Sequence, residues 1–161
     1  MKKLIIALPF LLTACSKKNT APTTPTPAFS VTAAINGVPT TFNAIITVDS
    51  SSTPGTVYIV AHADSANLTP LLEITLTGKT PLTTGNYPIS DSTGGNQSAI
   101  GYTAWAGDQD NQYNSISDTV ILTTVNKTWL AGTFQGTCQF TLDSVVSVTN
   151  GQFTVPLPPI F

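Results

Sequence analysis

One segment near the C-terminal end alternates between apolar and polar residues from Leu130 to Leu142. Its apolar or small positions are Leu130, Gly132, Phe134, Gly136, Cys138, Phe140 and Leu142. Successive side chains of a β-strand point to opposite faces of a sheet, whereas a helix would need apolar residues every three or four positions. The segment is therefore predicted to be an antiparallel strand with one buried face. Its two glycines predict a bulge or a close contact with a neighbouring strand.

The remainder of the chain beyond residue 28 consists of short stretches rich in Thr, Val and Ile that are separated by turn residues. Asn36-Gly37 predicts a type I′ hairpin turn, Asn150-Gly151 predicts another turn, and residues 49–55 predict a loop. No apolar stripe with helical spacing is present, so residues 29–161 are predicted to form one all-β domain. The expected architecture is an antiparallel, Greek-key-like β-sandwich or small barrel of about 8–10 strands.

The composition excludes several classes of function. The chain has 28 Thr and 13 Ser among 161 residues and no Arg, and residues 29–161 contain two Lys against eight acidic residues. A nucleic-acid binder needs basic side chains to displace the counterions of the phosphates, so no nucleic-acid partner is expected. The mean hydropathy of +0.19 also argues against a chain that is disordered throughout.

The N-terminal residues predict export and a lipid anchor. Two lysines precede the apolar residues 4–12, a stretch too short to span a bilayer as a helix but suited to a secretory signal peptide. Leu12-Thr13-Ala14-Cys15 follows and resembles the bacterial lipobox. The resemblance implies that residues 1–14 are removed and that Cys15 is acylated on its sulfur and its new amino group. Two or three acyl chains would anchor the protein stably in a lipid bilayer.

Residues 15–28 are expected to form the lipidated Cys15 and a tether. Residues 16–28 contain three Pro and four Thr and have no hydrophobic periodicity, which favours an extended chain. By resemblance to lipoprotein sorting rules, Ser16 lacks the Asp that retains many lipoproteins at the inner membrane, which implies the outer membrane. Lys17 and Lys18 stand where surface-displayed lipoproteins of Bacteroidetes-type bacteria carry acidic residues, which implies a periplasm-facing position.

Several patterns in the domain resemble one family. They are Ile35-Asn36-Gly37, the stretch 119–124, Gly132-Thr133-Phe134 and the stretch 149–155. Together they resemble small, Thr-rich β-sandwich lipoproteins of Bacteroidetes-type bacteria, which are classed as domains of unknown function. The resemblance implies a β-sandwich fold and offers no catalytic residue to carry over, and a fold alone does not define a function.

The side chains that perform most enzyme chemistry are scarce. The chain has one His, one Glu and, besides Cys15, one Cys, which are His62, Glu73 and Cys138. His62 could act as a general base or metal ligand, but we expect a structural or surface role. We expect Glu73 to lie on a solvated face of a strand. We expect Cys138 to be a buried, inert thiol. The standard nucleophile-elbow, Walker and zinc-protease motifs do not occur. We expect no catalytic residues and no enzyme activity.

One polar segment offers candidate binding residues. Oxygen ligands are close together in sequence at Asp108, Asp110 and Asn111, and they could hold Ca²⁺. No other cofactor is expected. The alternative is that this segment is a solvated hairpin loop. Trp105 and Tyr113 lie beside this segment and could stack on sugar rings, with a place in the core or at its rim as the alternative.

Four Asp residues are followed by Ser or Thr and then by a small or aliphatic residue, a pattern that resembles the general O-glycosylation sequon of that bacterial group. The candidate acceptors are Ser65, Ser92, Thr119 and Ser144. All four are predicted at strand edges or turns, where a glycan could be accommodated. Asp-Ser is also common in turns, so the pattern has a purely structural alternative.

These observations favour a membrane-anchored, non-catalytic binding module of the cell envelope, whose loops form a recognition surface on a rigid sheet. The alternative is a structural or accessory subunit that docks a partner protein in the envelope through exposed strand edges. The expected partners are the lipid bilayer, bound through the acylated Cys15, and an envelope glycan or protein.

Overall fold

The computed structural model describes residues 27–50, 55–89, 95–104 and 112–157, and these residues form ten strands and no helix. The strands are β1 (Ser30–Ile35), β2 (Val38–Thr41), β3 (Ile45–Ser50), β4 (Thr56–His62), β5 (Leu71–Thr77), β6 (Gly85–Pro88), β7 (Gln97–Thr103), β8 (Tyr113–Val125), β9 (Trp129–Thr141) and β10 (Ser144–Pro156). The predicted all-β fold is therefore confirmed.

All ten strands belong to one antiparallel sheet with the order β2-β1-β10-β9-β8-β7-β5-β4-β3, and β6 pairs with β8. The sheet curls into a half-barrel, because side chains from strands far apart in this order, such as Val31 of β1 and Ile59 of β4, belong to one buried cluster. Of the two predicted architectures, the barrel is the closer description. The core lies on the concave face, and the outer face is covered largely by Thr, Ser and Gln.

The two edge strands of the sheet, β2 and β3, are joined by only three residues. Phe42 continues the pairing with β1 by donating its N–H to the carbonyl of Val31 at 2.8 Å, and Ala44 starts the pairing with β4 by donating to the carbonyl of His62 at 3.0 Å. Between them, the side-chain oxygen of Asn43 accepts from the N–H of Val31 at 2.7 Å. Residues 38–50 therefore form one bent segment that belongs to both edges and brings them together.

The predicted turn at Asn150-Gly151 is wrong, since β10 runs through these residues without reversing. Val148 pairs with Gly136 and Gly151 pairs with Phe134, so two residues of β10 lie opposite Gln135 in a β-bulge. Asn150 has φ of +53°. An Asn-Gly pair accepts the positive φ that a type I′ turn requires and that this bulge also uses. Here β10 cannot reverse its direction, because it pairs with β1 on one side and with β9 on the other. The bulge forms instead of the turn.

The close contact predicted at the glycines of β9 is confirmed. Gly132 pairs with Phe153, and a Cβ atom on Gly132 would lie 2.8 Å from that ring. The reciprocal pair is Gly151 with Phe134, where a Cβ atom would lie 2.5 Å from the ring. The two rings meet with centroids 6.2 Å apart. Each ring lies over a glycine of the next strand, which keeps the sheet tightly packed at this place.

Truncating Phe42 tests the role of the bent segment. The Phe42 side chain is fully buried, so Phe42→Ala should lower the free energy of unfolding by about 3–5 kcal/mol, as measured by urea denaturation. Phe29→Ala, which removes the same ring from an exposed position, should cost less than about 1 kcal/mol. Equal losses in the two variants would contradict the view that Phe42 closes the barrel.

Candidate functional site

The strand directions divide the connections between two ends of the sheet. β1 begins at Ser30 and β10 ends at Pro156 at the same end, because Ser30 pairs with Thr154. We call this the terminal end, and the residues that precede Ser30 attach there. At the opposite or distal end lie the β1–β2 turn and the β9–β10 turn, together with the last residue of β7 and the first of β8. The predicted candidate Tyr113 is therefore at the distal end.

Three aromatic side chains from adjacent strands form a row at the distal end. Tyr102 of β7, Tyr113 of β8 and Phe140 of β9 meet with centroid distances of 6.2 and 6.0 Å and interplanar angles of 53° and 56°. Such tilted pairs contribute about 0.5–1.5 kcal/mol each beyond area burial. Burial, with a smaller contribution from Tyr113, raises the pKa of Tyr102. We call these residues the aromatic row; the two tyrosines pack against the core, while Phe140 is 43% exposed.

Large apolar side chains are exposed beside the aromatic row. Leu142 in the β9–β10 turn is 90% exposed, and Ile116 and Val145 on the neighbouring strands are also exposed. The hairpin protrudes because β10 starts at Ser144, whereas β1 covers it only from Val148 onward. We call Ile116, Phe140, Leu142 and Val145 the distal tip. Phe140 shares the face of Cys138, whereas Val145 pairs with Gln139 on the other face, so these side chains are exposed on both faces of the hairpin end.

Phe140 and Leu142 differ from their sequence-based interpretation. Their alternation with Cys138 predicts a continuous buried face, but burial ends at Cys138, and β1, which lies beyond β10, pairs with β10 only as far as Val148. The alternation gives the face of each side chain correctly and cannot give the length of the strands that cover it. Sequence analysis therefore missed Phe140 as a member of the site.

Several predicted site residues lie outside the described residues: Trp105, Asp108, Asp110, Asn111 and Ser92. Within the ranges that the structure does describe, no group of three His, Cys, Asp or Glu side chains could hold a metal ion. Gln112, the first described residue after the three calcium candidates, donates its side-chain amide to the carboxylate of Glu73. The contact passes over Gly101, where a Cβ atom would lie 2.8 Å from the amide nitrogen of Gln112. Glu73 is thus on the outer face as predicted, but half-buried and bonded.

His62 has a structural role in the β4–β5 loop. Its Nδ1 donates to the carbonyl of Leu68 at 2.6 Å, where Leu68 has φ of +58°. In the same loop the carboxylate of Asp64 accepts from the N–H of Ala66 and from the side-chain amide of Asn67, both at 2.8 Å. These hydrogen bonds lower the pKa of Asp64. The structural role expected for His62 agrees with this geometry.

A buried polar network lies where β8 leaves β7 and pairs with β6 instead. Asp118 is 6% exposed, and its carboxylate accepts from the hydroxyl of Ser98 at 2.5 Å and from the N–H of Ile100 at 3.2 Å. Together with the hydroxyl of Ser115, at 3.1 Å, the carboxylate satisfies a backbone donor that pairs with no carbonyl of β8. Sequence analysis missed the burial of Asp118, although Val120 and Leu122 share its face.

Cys138 is fully buried beside this network, as predicted. Its Sγ lies 3.6 Å from the carbonyl oxygen of Ile100. Burial, with a smaller contribution from Asp118, raises the pKa of the thiol to about 12. A thiol that stays protonated is a poor nucleophile, so Cys138 offers no covalent chemistry near neutral pH.

The described glycosylation candidates differ in accessibility. Ser65 is exposed in the β4–β5 loop, and Ser144 is half-buried at the start of β10. Thr119 lies inside β8, with its hydroxyl donating to the carbonyl of Asp118 at 2.8 Å. The prediction that Thr119 is at a strand edge or turn is therefore wrong, because β8 starts at Tyr113 rather than at Asp118. In the folded chain the Asp of this sequon is buried.

Comparisons with protein-family models, with curated proteins and with solved structures each found no match for this chain. Among the residues that the structure describes, none belongs to a helix with the length and apolar character needed to cross a membrane. The candidate site therefore rests on the geometry of the distal end.

The raised pKa of Cys138 predicts a pH dependence of stability. The unfolded thiol ionises near its ordinary pKa of 9.0, whereas the folded thiol stays protonated up to a pKa of about 12. Between these two values the unfolded state loses its proton first, so the contribution of the thiol to stability is present below pH 9 and falls as the pH rises. The free energy of unfolding of Cys138→Ala should therefore approach that of the wild type between about pH 8 and about pH 10.5. A constant difference, measured by urea denaturation, would contradict the burial of a protonated thiol.

Proposed function

We propose that the protein is a lipid-anchored lipoprotein of the outer membrane that faces the periplasm and acts as a non-catalytic binding module. The observation that carries the binding role is the aromatic row beside the distal tip, a rigid surface whose rings and apolar side chains reach the solvent. Aromatic rings with one exposed face suit the apolar faces of sugar rings or the side chains of a protein. The ligand proposed first is an envelope glycan.

The position of the anchor supports this proposal. The tether 16–28 precedes Ser30, which pairs with Thr154, so an acylated Cys15 would attach the domain at the end of the β9–β10 hairpin opposite to the turn that carries Leu142. An extended tether of 13 residues would span about 40 Å at 3.1 Å per residue. A domain held in this way can reach a ligand in the periplasm while it stays attached to the membrane.

The anchor is tested by replacing the cysteine of the lipobox. Cys15→Ala should move the protein from the membrane fraction to the soluble fraction and abolish incorporation of labelled palmitate, because the acceptor sulfur is lost. Cys138→Ala is the matched control and should leave both readouts unchanged, since that thiol is buried in the folded domain. Membrane attachment that survives Cys15→Ala would refute the lipid anchor.

The binding role is tested by thermal melts of the protein against neutral oligosaccharides, Ca²⁺ and a chelator. A ligand at 100 times its dissociation constant should add about 2.7 kcal/mol, which raises the melting temperature by several degrees. Phe140→Ala should remove a glycan-induced shift. Tyr58→Ala is the control, because Tyr58 is 42% exposed on the outer face of β4, away from the aromatic row. A shift with Ca²⁺ that Asp108→Ala abolishes would assign the ion to the predicted loop.

An accessory subunit that docks an envelope protein is the second candidate. The observation that favours it is Leu142, whose side chain is 90% exposed at the distal tip and has aliphatic rather than ring character. Protein interfaces bury such anchors in pockets of the partner. Melts that do not respond to any glycan, combined with crosslinking of Leu142 to one defined envelope protein, would favour this candidate over the first.

A further inference from the structure

The outer face of β8, β9 and β10 has a shallow groove that shares no residue with the aromatic row. It consists of two depressions, of about 340 and 220 Å³, that adjoin at Thr119 and Gln135. The polar side chains that line this outer groove include Thr119, Thr133, Gln135, Thr137, Asn150 and Gln152. The larger depression reaches the lower end of the range for small-molecule sites, about 300–1,000 Å³. Together the two depressions form one elongated site.

The groove has its shape because of the β-bulge in β10, which places both Thr149 and Asn150 opposite Gln135. The long strands β8 and β10 pair with β9 on its two sides, so the positions of the lining side chains are set by the ladder hydrogen bonds. A ligand would therefore meet side chains that project from a fixed backbone, and it would order the exposed amides of Gln135, Asn150 and Gln152 when it binds.

The groove offers hydrogen-bonding groups and no charge. The side-chain amides of Gln135, Asn150 and Gln152 make no hydrogen bond to another described residue, and each amide can both donate and accept. Asp118 borders the smaller depression, but its buried carboxylate accepts from Ser98 and Ile100. The groove therefore presents neutral groups only.

We infer that the outer groove binds a neutral oligosaccharide chain. Sugar hydroxyls both donate and accept, as the amides do, whereas a charged ligand would lose its hydration here without gaining a countercharge. Ile121, exposed at one end of the groove, supplies an apolar surface for the C–H groups of a sugar ring. An extended peptide binds best along a strand edge with free backbone groups, and this face is made of side chains. The inference rests on the proposed binding role and assigns that role a second surface.

Titration calorimetry of the full-length protein in detergent tests the groove. The probes are cellohexaose, laminarihexaose and chitohexaose as neutral chains and a galacturonic acid hexamer as the charged chain. We expect at least one neutral probe to bind and the charged probe to bind at least about tenfold more weakly, because the groove offers no countercharge. The double variant Gln135→Ala/Gln152→Ala should weaken the neutral probe at least about fivefold, since it removes two hydrogen-bonding amides.

Two controls keep the result specific to the groove. Gln139→Ala removes an amide from the same strand outside the groove and should leave the affinity unchanged. Thr133→Lys, which adds bulk and charge in the groove, should abolish binding of the neutral probe. Each variant is accepted only if its melting temperature without ligand matches that of the wild type.

The outcomes separate this inference from the proposed function. If Phe140→Ala removes glycan binding while the Gln135→Ala/Gln152→Ala variant retains it, the aromatic row is the site and the outer groove is not. If the neutral probes do not bind at millimolar concentration, or if the charged probe binds as well as they do, the inference is overturned. Loss of binding in the groove variants alone, with Phe140→Ala unaffected, supports it.

Discussion

The three residues Phe42, Asn43 and Ala44 impose the main constraint on this fold, because they join the two edge strands of a ten-stranded sheet. A flat sheet of this width would hold its edges tens of ångströms apart, at about 4.8 Å per strand. The sheet must therefore curl, and the curl gives one buried concave face and one solvated outer face. The Phe42 side chain holds the joining residues in place, because it is fully buried in the core.

The same closure accounts for the position of both candidate surfaces. β8, β9 and β10 each have thirteen residues, more than twice the length of β1, so they extend beyond the closed part of the barrel. Their distal ends therefore expose apolar side chains such as Phe140 and Leu142 that no neighbouring strand covers. Farther along the same strands, on the outer face, the bulge of β10 borders the depressions of the outer groove.

Local patterns in the sequence predict the strands well, because alternation and turn dipeptides act within a few residues. The alternating segment from Leu130 forms a strand as predicted, and Asn36-Gly37 forms the hairpin turn with φ of +49° and +81°. The failures depend on contacts that are distant in sequence. Asn150-Gly151 becomes a bulge because two strands hold it. Similarly, Asp118 is buried because β7 and β8 separate beside it. The strands that hold Asn150-Gly151 and the Ile100 N–H that bonds to Asp118 are distant in sequence, so a local pattern cannot reveal them.

The scarcity of charge decides how such a domain can recognise a ligand. Charged residues are only 9% of the chain, and neither the aromatic row nor the neutral groups of the outer groove would attract a ligand over a long range. Recognition must then depend on shape and on short hydrogen bonds, which fixed strands provide more reliably than loops. Such contacts are little affected by salt, because screening acts on charges and leaves hydrogen bonds largely unchanged. A lipid tether would complement this chemistry by keeping the domain close to its ligand, so that modest affinity at each surface is sufficient.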